Sequence, residues 1–131
     1  LWVGDRIAFV PQQPERIETP LLREAKAQLE AYFERRLQKF SLPLFLQGTA
    51  FQLKVWKLLQ DIPYGEITTY GEIAALSGNP KACRAVGRTN GQNPLPIFIP
   101  CHRVVGSGKK LVGYTGGLDI KIKLLEIEGV L

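Results

Sequence analysis

The sequence predicts an α+β protein in two parts: a short N-terminal strand-and-helix layer, residues 1–47, and a helix-turn-helix, winged-helix-like domain, residues 48–131. Three observations carry this. Ser41 to Gly48 is an extended linker containing Pro43 and marks the boundary. Beyond it, two short helices meet at the turn Ser77-Gly78-Asn79-Pro80, the outline of a helix-turn-helix. Finally, the apolar run Pro96-Ile97-Phe98-Ile99-Pro100 cannot be helical, because each proline fixes its own φ and pushes the residue before it into extended backbone. It is expected to cross the core as a short, stiff strand and to deliver Cys101 and His102 at its end.

Taken in order, Leu1-Trp2-Val3 and Ile7-Ala8-Phe9-Val10 read as short strands around a Gly4-Asp5 turn. Thr19 caps a helix with Pro20 at its first position, and Leu22, Ala25, Leu29, Phe33 and Leu37 recur at helical spacing through Gln38. Nothing in that helix suggests chemistry. Thr49-Ala50-Phe51-Gln52 is a capping box opening a helix with Leu53, Val55, Trp56, Leu58 and Leu59 as its apolar positions. Thr69-Tyr70-Gly71-Glu72 is a second capping box, ahead of Ile73, Ala74 and Leu76. Gly78 suits a left-handed cap, and Asn79-Pro80 an N-cap and first turn, of a helix over about 80–90. A last helix runs from about Leu118 to Glu128 with Leu118, Ile122 and Leu125 inward.

One core is what 131 residues can bury. No apolar run is long enough to span a membrane and no signal-peptide pattern opens the chain, so an intracellular protein is expected. The absence of methionine predicts a chain that is processed, trimmed or a fragment. Two cysteines without a secretory signal argue against a disulfide framework, and with one histidine they make a poor zinc set, so neither metal nor cofactor is expected.

Charge is unevenly placed. Residues 1–47 carry 7 basic against 6 acidic side chains, whereas 48–131 carry 10 against 6. From 78 to 115 the charges are Lys81, Arg84, Arg88, Arg103, Lys109 and Lys110, with no carboxylate. That is either a solvated basic face or a surface for a polyanion such as nucleic acid. On the 80–90 helix, Lys81, Arg84 and Arg88 share a face by spacing, and Ala82, Ala85 and Gly87 keep its surface low enough to approach a groove closely. Gly106 to Lys110 is a basic glycine loop that matches no phosphate-binding fingerprint.

A thiol is nucleophilic only as thiolate and needs a base or a positive neighbour. His102 and Arg103 offer both, though a lone cysteine is also commonly a small buried hydrophobe. His102 is the only histidine in the chain. Glu128 stands at the unfavourable negative end of its helix dipole, with Leu124 and Leu125 at i−4 and i−3, so it faces partly inward and needs a partner. His102 is the natural one.

The set Tyr64-Gly65-Glu66, Thr69-Tyr70, Arg84-Ala85-Val86-Gly87, Asn93-Pro94, Ile99-Pro100-Cys101-His102-Arg103-Val104, Gly113-Tyr114-Thr115-Gly116-Gly117-Leu118 and Leu124-Leu125-Glu126-Ile127-Glu128-Gly129 resembles the O6-alkylguanine-DNA alkyltransferases, also called methylated-DNA protein-cysteine methyltransferases. The resemblance runs in order over about 45–131. It implies a single-turnover DNA repair protein acting on double-stranded DNA that contains O6-alkylguanine, as a monomer in the cytoplasm and nucleoid-associated in a prokaryote. Cys101 would accept the alkyl group, His102 would deprotonate it through a bridging water, and Glu128 would orient His102. Tyr70 would hydrogen-bond the extruded guanine and Arg84 would fill its place in the stack. Lys81, Ala85, Gly87 and Arg88 would complete the DNA face, and Asn93 would brace the loop to the site. Pro96, Val104, Tyr114 and Thr115 would line the pocket. An N-terminal layer of about 47 residues is shorter than relatives usually carry. Cys83, where many relatives have alanine, is expected on the buried side of its helix and so not to act as a second nucleophile.

The rivals are an alkyltransferase-like binder, which lacks the acceptor cysteine, a plain helix-turn-helix regulator, which would leave Cys101, His102 and Glu128 idle, and a cysteine hydrolase, for which no oxyanion motif is visible.

Overall fold

The structure is a computed structural model and describes residues 2–3, 6–7, 19–111 and 117–131. The N-terminal strands β1 (Trp2–Val3) and β2 (Arg6–Ile7) pair antiparallel, Trp2 opposite Ile7 and Val3 opposite Arg6. The expected continuation of the second strand over Ala8–Val10, and the turn at Gly4-Asp5, lie outside the described residues.

Helix α1 (Pro20–Phe33) opens as its sequence implies, with Thr19 Oγ1 accepting from Leu22 N at 3.1 Å and Pro20 at the first position. It ends five residues earlier than periodicity suggested, because Arg35 turns the chain into the left-handed region at φ 62°. The inward stripe is Ala25, Gln28, Leu29 and Tyr32, not the one through Phe33, which is half exposed. Gln28 belongs inside because its amide pairs with Ser41, donating to Oγ and accepting from the backbone N–H at 3.1 Å each, which ties the linker down.

Helix α2 (Ala50–Gln60) carries the complete capping box, with Gln52 N donating to Thr49 Oγ1 and Thr49 N donating to Gln52 Oε1, a motif that stabilises by about 1 kcal/mol. It buries Val55, Trp56 and Leu59 and leaves Leu53 exposed. Strand β3 (Thr68–Thr69) runs straight into α3 (Tyr70–Leu76), whose N-cap Thr69 accepts from Glu72 N. Here the box is only half closed, since the Glu72 carboxylate takes the Thr68 hydroxyl and not the cap amide.

Gly78 adopts φ 97° as expected, but α4 (Cys83–Gly91) starts three residues later than the Asn79-Pro80 pair implied. The Asn79 side chain accepts from Lys81 N, so it closes a local turn and not a helix cap. Lys81 therefore sits in the turn of the helix-turn-helix and not on its second helix. Helices α3 and α4 pack on each other and on α2, and Trp56 Nε1 donates to Thr89 O at 3.1 Å across the α2–α4 contact.

Strand β4 (Val104–Val105) lies parallel to β3, pairing Thr68 with Val104 and Thr69 with Val105. This two-stranded contact holds the segment after Cys101 against the start of α3. Helix α5 (Leu118–Ile127) closes the core with Lys121, Leu124, Leu125 and Ile127, while Leu118 is exposed and Ile122 half-buried. No helix among the described residues is long and apolar enough to cross a membrane.

Candidate active site

The segment before Cys101 is buried, as its composition requires, but it is not a strand. Ile97 takes φ 78°, a conformation that costs a β-branched residue about 1–3 kcal/mol and persists only where its surroundings enforce it. The enforcement is Asn93, fully buried, which accepts from Leu95 N at 2.9 Å and donates through Nδ2 to Ile99 O at 2.7 Å. Pro96 and Pro100 have no N–H for a ladder, so an asparagine side chain supplies the cross-link that a neighbouring strand would otherwise give. Ile99 N closes back on Leu95 O, Cys101 N on Ile99 O at 2.7 Å, and Cys101–Arg103 forms one turn of 3-10 helix. Asn93 thus ties the segment after α4 to the backbone ahead of Cys101.

That turn points consecutive side chains in different directions. Cys101 and His102 are both buried. His102 Nε2 meets Glu128 Oε2 at 2.6 Å, the partnership anticipated for Glu128. Burial raises the Glu128 pKa, but donors from His102, Arg103 and Tyr32 outweigh it and hold the carboxyl down at about 2. The carboxylate can then only accept, so the Nε2 of His102 carries the proton. Its Nδ1, buried and without a hydrogen-bond partner among the described residues, keeps a lone pair. Burial, opposed by Glu128, leaves the His102 pKa below its ordinary 6.5, so the ring is neutral at pH 7.

Arg103 directs its hydrogen bonds elsewhere than to the thiol. It turns to Glu128, donating from Nε to Oε1 at 2.8 Å and from Nη2 to Oε2 at 2.9 Å, with Nη1 on Ile62 O at 2.6 Å. A cation that does act on Cys101 is Lys121, which the sequence reading missed. Its side chain is fully buried, Nζ donates to Val104 O at 2.6 Å, and it interacts electrostatically with Cys101. Burial brings its pKa down to about 8. Lys121, Leu124, Leu125 and Glu128 stand at i, i+3, i+4 and i+7, so the stripe was present in the sequence but began and ended on charges.

Tyr32 was missed for a similar reason. Its hydroxyl, buried and 96 positions away in sequence, donates to Glu128 Oε2 at 2.6 Å. Burial, then the bond to Glu128, raises its pKa far above the ordinary 10, which keeps it a donor. Gly65 N adds a bond to Glu128 Oε1 at 3.3 Å from a turn at φ 80° that favours glycine.

Tyr70, half-buried at the start of α3, lies within electrostatic reach of Cys101. Burial, then Cys101, raises its pKa, opposed by a hydrogen bond from Asn90, whose Nδ2 is also 3.5 Å from Cys101 O. Asn90 is a further buried residue that spacing alone did not single out. On α4, Arg84 and Arg88 are exposed, with Ala85 and Gly87 half-buried between them and Val86, Thr89 and Asn90 inward. A Cβ at Gly87 would meet nothing within 4 Å, so no neighbour among the described residues requires the glycine. Lys81 is exposed in the preceding turn. Cys83 is exposed too, contrary to expectation, because α4 begins at Cys83 and its first residue overhangs the turn. Pro96 and Val104 are buried, and Tyr114 and Thr115 lie outside the described residues. A cavity of 570 Å³ between Phe40, Leu42, Tyr64 and Phe98 reaches Arg103 but not Cys101, so it is not where a substrate would meet the thiol.

Residues 50–130 match the family model for the 6-O-methylguanine DNA methyltransferase DNA binding domain. A Methanosarcina acetivorans methylated-DNA–protein-cysteine methyltransferase is 58% identical over 107 residues, covering 82% of this chain and 69% of that protein. The constitutive Bacillus subtilis enzyme of the same name is 54% identical over 120 residues, covering 91% and 73%. Among solved structures, Mycobacterium tuberculosis OGT in complex with DNA superposes with a TM-score of 0.80 at 53% identity, covering 82% of this chain and 66% of that one. The chain thus spans about two thirds of the length of that solved relative.

Proposed function

Because this chain belongs to the 6-O-methylguanine DNA methyltransferase family, we propose that it repairs double-stranded DNA by moving an alkyl group from O6 of guanine to its own Cys101, once per chain. The observation that carries the reading is the Glu128 carboxylate on His102 Nε2, which leaves Nδ1 of the residue next to Cys101 with a lone pair to act as a base. Nδ1 takes the thiol proton through one bridging water. The thiolate attacks the alkyl carbon, the carbon–O6 bond breaks, and the electron pair leaves with guanine, which the Tyr70 hydroxyl helps to neutralise. A saturated carbon calls for a soft nucleophile, which a thiolate is.

The reacting carbon lies inside the stack, so the base has to be extruded. Arg84 takes its place, Lys81 and Arg88 contact phosphates, and Ala85 and Gly87 give clearance. A glycine inside a helix costs about 1 kcal/mol relative to alanine, and its use at Gly87, where nothing among the described residues fills the space, supports close approach by a partner. Asn93 holds the reactive turn, and Pro96 and Val104 form the pocket wall. Residues 48–131 are the DNA-binding and reactive domain and 1–47 its supporting layer. The protein works as a monomer, in the cytoplasm and associated with the nucleoid in a prokaryotic cell. An alkyltransferase-like binder is disfavoured by Cys101 itself.

The experiment is stoichiometry. With excess O6-methylguanine duplex, repair is expected to plateau at one equivalent of protein, and the peptide spanning Cys101 to gain one methyl mass, because a thioether has no carbon that water opens readily. Repair well past one equivalent, with Cys101 unmodified, would refute the reading. Arg84→Ala is expected to slow duplex repair by about tenfold or more, leaving reaction with free O6-benzylguanine within about twofold, since only the duplex needs a base replaced. Equal losses on both substrates would assign Arg84 to the pocket.

A further inference from the structure

We propose that Tyr32, carried by the N-terminal helix α1, is a positioning residue that limits how strongly Glu128 supports His102, so that the N-terminal layer sets the reactivity of the thiol. This rests on the reading of Cys101, His102 and Glu128 as a proton relay. The carrying observation is that Tyr32 and His102 share one atom: the tyrosine hydroxyl and His102 Nε2 each lie 2.6 Å from Glu128 Oε2. Arg103 Nη2 also donates to that oxygen, while Arg103 Nε and Gly65 N occupy Oε1.

Hydrogen bonds to one carboxylate oxygen compete for the same charge. The Tyr32 bond cannot be lost by a swing of the ring, which is fully buried against Phe33, Phe40 and Tyr64 at centroid distances of 5.5, 5.4 and 6.1 Å. Nor does deprotonation remove it near neutrality, since the phenol pKa is raised. Among the described residues, the other titratable or charged groups that act on the pair are Tyr64, Arg103 and, on the His102 side, Lys121. None of them offers a second acceptor to His102 Nε2. With the Tyr32 donor removed, more of the charge on Oε2 faces the imidazole, the imidazolium is better stabilised, and Nδ1 becomes a stronger base that stays protonated to higher pH.

Tyr32→Phe keeps the ring and deletes the hydroxyl. Because His102 is the only histidine, its ring nitrogen signals are unambiguous and its titration can be followed by NMR without any transfer reaction. The expected result is a midpoint raised by roughly half to one pH unit, with the acidic limb of the pH–rate profile for alkylation by free O6-benzylguanine moved up by a similar amount, because the imidazole must be neutral to take the thiol proton. Site-specific replacement of Tyr32 by 3-fluorotyrosine, a stronger donor, should move both the opposite way and serves if the phenylalanine variant does not fold. A His102 midpoint unchanged in a folded variant overturns the inference. A shifted midpoint with an unshifted rate profile upholds the coupling and overturns instead the assignment of His102 as the base.

Discussion

Cys101→Ser should take up no alkyl group from O6-methylguanine DNA, a loss on the order of a thousandfold or more, while binding the same duplex within about threefold of the parent. The first half follows from chemistry. A serine hydroxyl is far less acidic than a thiol and, as an oxygen nucleophile, poorly matched to a saturated carbon, so His102 could not make up the difference. The second half follows from where affinity resides. Phosphate contacts dominate it, and Lys81, Arg84 and Arg88 are exposed on the turn and helix, away from the buried thiol. The exposed Cys83 makes the control necessary. A simple soluble alkylating agent should label Cys83 before Cys101, whereas DNA-borne alkyl should go to Cys101. Peptide mass decides between them. Alkyl from DNA recovered on Cys83 in the serine variant would sink the assignment of the acceptor.

Arg103→Leu should destabilise the fold by about 3–5 kcal/mol at neutral pH, a large part of the roughly 5–15 kcal/mol available to a domain. The guanidinium makes three hydrogen bonds, two to Glu128 and one to Ile62 O. It also stacks 5.8 Å above the Tyr64 ring. Leucine would leave a carboxylate with a fully buried side chain short of its main cation and a carbonyl unpaired. The sign of the pH dependence follows from Glu128. Its pKa is held at about 2, below the ordinary 4.5, so it contributes stability above 4.5 that is lost as pH falls toward 2. Without Arg103 the folded and unfolded values converge and this contribution shrinks. Urea unfolding at pH 7 and pH 3 should therefore show a wide gap between parent and variant that narrows on acidification. A loss under 1 kcal/mol, or a gap independent of pH, would mean that the remaining donors suffice.

Local rules carried the sequence reading furthest. Thr19, Thr49 and Thr69 cap their helices because each cap is decided by groups within three residues, and no distant contact has to be known. The adjacency of Cys101 and His102 is covalent, and the carboxylate-free basic stretch is a matter of counting. The α+β reading and the helix-turn-helix rest on such signals, and both describe the structure. Glu128 was legible because an exposed carboxylate at a helix C-terminus is unfavourable enough to imply a partner.

Helix phase and backbone bends depended on contacts between distant segments. Nothing near Tyr32 says that it, and not Phe33, faces inward; that is settled by Glu128, which accepts its hydroxyl across 96 positions. Lys121 reads as a surface lysine until Val104 O is seen to accept it, and Arg103 reads as a neighbour of the thiol until Glu128 takes its guanidinium. The run before Cys101 looked like a strand because its residues favour one, yet Asn93 bends it at Ile97 with two hydrogen bonds no propensity includes. The adjacency of the candidate nucleophile Cys101 and its candidate base His102 is therefore set by sequence alone. The set of donors around Glu128 was decided by tertiary structure, because a buried charge is stabilised only by whatever the whole fold brings within hydrogen-bonding distance of it.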